Sequence, residues 1–168
     1  MYQIGDCVVY GIHGVCRIVA TEEKTVDRKK IAYFVLEPID QNEARFFVPM
    51  HNEAAVSKIR KIMTADEINA LLHADEVLAD AWIPDENQRK LCYRSLIGSG
   101  DRTALLRMIR SIHEHRSGLE EKGRKLRICD ENFLKDAQKL LSSEFALVLQ
   151  IPQEEVGNYI VSAIKSKE

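Results

Sequence analysis

The hydrophobic pattern of the chain changes period once. Through residue 63, apolar residues come in short runs rich in Val, Ile, Tyr and Phe, divided by Gly or charged turns. Residues 6–10 and 15–20 form two such runs across Gly11-Ile12-His13-Gly14, the pattern of a β-hairpin. A third run, 31–36, follows Asp27-Arg28-Lys29-Lys30, and a fourth, 45–48, follows Asp40-Gln41-Asn42-Glu43. A fifth covers 57–63. Five short strands with tight charged turns predict a small Tudor-like or SH3-like β-barrel.

From Thr64 onward the period is helical. Thr64-Ala65-Asp66-Glu67 is a capping box, followed by Ile68, Leu71 and Leu72. Further apolar sets are Leu91, Tyr93, Leu96; Leu105, Met108, Ile109, Ile112; Phe133, Leu134, Ala137, Leu140, Leu141; and Val156, Tyr159, Ile160, Ile164. Breaks fall at Pro84, Gly98-Ser99-Gly100, Gly118 or Gly123, and Pro152. The predicted fold class is α+β: a barrel over 1–63, then an all-α helical bundle of four or five helices over 64–168.

Composition sharpens this. At 168 residues and 45% apolar content, the chain suits one ordinary domain or two small ones. Its net charge of −2 argues against nucleic acid until it is divided along the chain. Residues 64–86 hold seven acids and no Lys or Arg; residues 87–128 hold eleven basic residues, mostly Arg, against four acids. No apolar run approaches a membrane span, and the N-terminus lacks the basic and apolar regions of a signal peptide. Cys7, Cys16, Cys92 and Cys129 are widely spaced, which suits reduced thiols. A soluble, cytoplasmic protein is expected.

Catalytic chemistry has little footing. The phosphate-loop, dinucleotide, zinc-protease and serine-hydrolase motifs are all missing from the sequence. Cys7, His13 and Cys16 lack a nearby fourth zinc ligand, and the two thiols alternate with apolar strand residues. His113 and His115, two apart on a helix, point to different faces. No catalytic residue, metal or cofactor is assigned, and a non-enzymatic role is expected. The basic block reads either as a solvated face paired with 64–86 or as a phosphate-binding face. The sole tryptophan, Trp82, lies near the junction of the two blocks and reads either as a core plug or as an exposed wedge.

Taken in order, Met1-Tyr2-Gln3-Ile4-Gly5-Asp6, Val8-Val9-Tyr10, His13-Gly14, Tyr33-Phe34-Val35-Leu36, Phe47-Val48-Pro49, Trp82, Ser99-Gly100-Asp101 and Ser142-Ser143-Glu144 resemble the CarD/CdnL family of bacterial transcription regulators. The resemblance covers essentially the whole chain. It implies a Tudor-like module that docks on the RNA polymerase β subunit and a helical domain that contacts promoter DNA at the upstream edge of the bubble. In that reading Trp82 is a minor-groove wedge that stabilises the open complex. Polymerase contacts fall on Lys24, Val26, Arg45 and Phe47, with Phe47 standing where the family has an arginine. DNA contacts fall on Trp82, Arg89, Lys90, Arg94, Arg107 and Arg110. Arg89 takes a family DNA-contacting position when the register is anchored on Ser99-Gly100-Asp101, and Glu131 replaces a basic one. The rival reading is a protein-interaction adaptor that makes no DNA contact.

Overall fold

A computed structural model describes residues 1–41 and 43–165. Asn42, expected in the turn before the fourth strand, and residues 166–168 lie outside the described set. The chain divides into two compact units, Met1–Ile62 and Met63–Glu168.

The first unit holds β1 (Cys7–Tyr10), β2 (Val15–Val26), β3 (Lys29–Pro38), β4 (Phe46–Pro49), α1 (Glu53–Val56) and β5 (Ile59–Lys61). The strands form one antiparallel sheet in the order β4-β3-β2-β1-β5. Among the described residues β4 and β5 do not pair with each other, so the sheet is open where a barrel was expected. β2 and β3 are joined by Asp27 and Arg28, both at positive φ (48° and 63°), the twist that matches a two-residue hairpin. Alternation along β3 sets the two faces. Phe34 and Leu36 join Val8, Cys16, Ile18, Val48 and Ile59 in the core. Burial, with Asp40 adding to it, pushes the Cys16 thiol up to about 11, so Cys16 behaves as a packed apolar group. The one-turn α1, capped by the Asn52 side chain, carries no apolar stripe that a sequence reading could find.

The second unit holds α2 (Ala65–Leu72), α3 (Asp75–Leu78), α4 (Glu86–Ser99), α5 (Arg102–Glu121), α6 (Ile128–Leu149) and α7 (Gln153–Lys165). Helix starts explain much of the acidic segment. The Thr64 hydroxyl accepts from the Glu67 amide while Glu67 reaches back to the Thr64 amide. Asp75 and Glu76 occupy the first turn of α3, and Asp85 caps α4 by accepting from the Gln88 amide. Gly100, at φ 63°, closes α4 in the left-handed conformation that favours glycine, and Asp101 caps α5.

The core joins Ile68, Leu72, Leu105, Met108, Ile109, Ile112, Leu134, Leu141, Phe145, Val156 and Ile160. Glu144, 2% exposed, is satisfied by Arg102 through both carboxylate oxygens and by the Met63 amide. One helix departs from its predicted stripe. Leu91 is 67% exposed, and the buried face of α4 is carried by Arg89 and Tyr93, four residues apart. Thr64→Ala removes one half of the capping box and is expected to cost about 1 kcal/mol; a shift of the second unit's urea midpoint measures it.

Candidate functional site

On the sheet, the face opposite the core gathers a mixed apolar and cationic patch. Lys24 and Val26 of β2 stand opposite Ile31 and Lys29 of β3, and Phe47 of β4 stands opposite Val35. All lie on the same pleat. The Lys24 ammonium sits 3.5 Å from the centre of the Phe47 ring, and Tyr33 meets that ring edge-on. Arg45, just before β4, pairs with Glu37 of β3 at 2.8 Å and remains largely exposed. Val26 and Phe47 are 43% and 40% exposed. The four residues proposed from sequence therefore share one face near the β4 edge.

In the second unit, Trp82 lies between α3 and α4 and is half-buried against the helical core. Its indole stacks on His115 of α5, with centroids 3.7 Å apart and planes 14° from parallel. The Arg89 guanidinium lies 4.4 Å from the indole centroid. Two groups at those heights would collide on one face, so they cap opposite faces and leave an edge.

Arg89 makes this arrangement rigid. Nε and Nη2 each donate to one Asp130 oxygen at 2.9 Å, a two-pronged pair. Nη1 donates to the carbonyls of Ile83 and Pro84 at 2.9 and 3.3 Å. One side chain thus ties the Trp82 turn to the first turn of α6. The Asp130 hydrogen bond raises the Arg89 pKa against the opposing effect of burial, so the guanidinium is a fixed charge. Burial holds His115 below the usual imidazole value, Arg89 and Lys122 add to this, and Asp130 opposes it.

Residues 2–63 match the family model described as the CarD-like/TRCF RID domain. The first unit is similar to RID domains. Such domains are RNA polymerase-interaction domains, which gives the chain a transcription-related role. The matched span ends before Trp82 and the helices. No curated protein matches the chain. No helix among the described residues is long and apolar enough to cross a membrane.

Beyond the matched span, three of the five cations proposed from sequence are engaged in ion pairs. Arg89 is 3% exposed with its fork filled by Asp130; in this fold it is a structural cation closed to phosphate, which corrects its expected role. Lys90 pairs with Glu86 at 2.7 Å. Arg110 donates to the Leu78 carbonyl and pairs with Glu114 at 2.6 Å. Arg94 and Arg107 are exposed and make no ion pair with any described residue. Of the seven acids in 64–86, Glu86 alone forms an ion pair with the basic block among the described residues. His115, which sequence reasoning placed on the surface, is the residue it missed. Its only signal was a place one turn beyond the apolar stripe of α5.

Asp130→Ala strands a buried cation and is expected to cost about 3–5 kcal/mol; combining Arg89→Met with Asp130→Leu is expected to restore most of the loss, as read by chemical denaturation. His115 carries a lowered folded-state pKa, so its contribution to stability is present above 6.5 and is lost as pH falls through the folded value. Trp82 emission is expected to titrate with a midpoint below 6.5, and His115→Ala is expected to abolish that transition.

Proposed function

We propose that this chain is a non-enzymatic, cytoplasmic transcription regulator whose RID unit, a Tudor-like module, binds the RNA polymerase β subunit. Its helical unit contacts promoter DNA at the upstream edge of the bubble, and Trp82 stabilises the open complex. The observation that carries the reading is the RID match over residues 2–63. The patch of Lys24, Val26, Arg45 and Phe47 supports it, because exposed apolar surface ringed by charge suits a protein partner.

The DNA half of the proposal draws on Trp82. Base–aromatic stacking is worth about 1–3 kcal/mol, which would favour an open state about 5- to 150-fold. That gain requires a base to replace His115 or Arg89 on an indole face; with both still in place an edge-on Trp82 does not stack, so the lower end of the range is the most that is expected. Phosphate contacts add affinity without reading sequence. Tethering through polymerase supplies the effective concentration that weak DNA binding lacks.

The rival adaptor role takes its support from the same covered faces, which also suit a core plug. Trp82→Ala separates the two. The regulator reading expects retained polymerase binding with an open complex that decays several-fold faster on a linear promoter. An unchanged lifetime favours the adaptor. Phe47→Asp is expected to abolish polymerase capture while leaving the helical unit folded.

A further inference from the structure

Three of the five cations expected to meet phosphate are engaged within the helical unit: Arg89 with Asp130, Lys90 with Glu86, and Arg110 with Glu114. Arg94 and Arg107 make no ion pair with any described residue, and the densest unspent charge lies elsewhere. Between α5 and α6, residues 122–127 read Lys-Gly-Arg-Lys-Leu-Arg, four cations with no acid, all four exposed. Lys122, Arg124 and Lys125 make no ion pair with any described residue.

These cations sit on an ordered backbone. Gly123, at φ 69°, ends α5, and the amides of Gly123 and Arg124 donate to the carbonyls of Glu120 and Leu119 at 3.0 and 2.8 Å. Leu126, 7% exposed, anchors the loop in the helical core. Display on a pinned loop lowers the entropy lost when a partner binds.

One end of the loop adjoins the Trp82 segment, and the other continues α5, where Lys122 follows His115 by seven residues, about two helical turns along the same side of the helix; the His115 imidazole lies on the indole. Arg127 pairs with Glu86, four residues beyond Trp82. Arg127 also holds the N-cap position of α6, where it makes no side-chain cap bond and places a cation at the positive end of the helix. Local physics disfavours an arginine there, and such local conflicts concentrate at functional sites.

We infer that the α5–α6 loop, through Lys122, Arg124 and Lys125, is the binding element for the phosphate backbone of duplex DNA beside Trp82. This rests on the DNA-contacting role proposed above. The loop that carries these cations is tied to the Trp82 segment through Arg127 and Glu86, so one docking event would engage phosphates and present the indole edge.

The test uses the full chain and a short fluorescent duplex, with binding followed by anisotropy across a KCl series. Lys122→Ala/Arg124→Ala/Lys125→Ala is expected to flatten the slope of log K against log salt by about 0.9 for each phosphate no longer neutralised, about 2.7 for all three. Lys122→Arg/Lys125→Arg is expected to keep the slope, and Trp82→Ala to lower affinity at unchanged slope. A wild-type slope in the triple variant overturns the inference. So does loss of slope in Arg94→Ala/Arg107→Ala instead, which leaves the DNA reading standing. Weakened polymerase binding without DNA, at unchanged duplex binding, also overturns it by identifying an acidic protein partner. Absence of any salt-dependent duplex binding by the wild type overturns the inference, while the DNA reading, which relies on tethering to polymerase, is decided separately by the open-complex lifetime.

Discussion

An arginine cannot shed its charge on burial, so a buried arginine dictates what surrounds it. In the helical unit that residue is Arg89, and its four hydrogen bonds place three separate stretches of chain. Asp130 fixes the start of α6, the carbonyls of Ile83 and Pro84 fix the turn before α4, and the guanidinium plane supports one face of Trp82. A buried ion pair gains little over well-packed apolar residues, but removing one partner is strongly destabilising. Its use here is geometric: it holds a lone tryptophan in one orientation at the unit's surface.

The same pair marks the limit of what the sequence made legible. Stripes of period 3.6 located α5 and α7, and Thr64 with Glu67 located the start of α2, because those signals are local. Arg89 and Asp130 are 41 residues apart, and nothing local links them. Charge patterning therefore left Arg89 on a solvated or phosphate-binding face, the family resemblance put it on DNA, and apolar spacing put Leu91 in the core position that Arg89 occupies with Tyr93. On the sheet, strand alternation brought Lys24, Val26 and Phe47 to one face. Their convergence depends on a register that the sequence implies only once its turns are known.

Charge order along the chain also has a physical basis. The acidic stretch serves helix starts: Glu67 closes a capping box, Asp75 and Glu76 open α3, and Asp85 caps α4. The basic block divides into cations consumed by the fold, Arg94 and Arg107 exposed on α4 and α5, and the cluster on the α5–α6 loop. In the proposed reading, a unit similar to RNA polymerase-interaction domains and a helical unit carrying Trp82 make a factor that borrows affinity from polymerase and acts on DNA locally.

The proposed wedge role of Trp82, the sole tryptophan, is tested most directly by replacing it with 5-hydroxytryptophan and following its emission as polymerase, then promoter DNA, is added. Little change is expected on polymerase binding, and a clear change when the open complex forms, as the indole edge leaves water for DNA. Emission that is unchanged by promoter DNA, with the factor demonstrably bound to polymerase, would contradict the wedge.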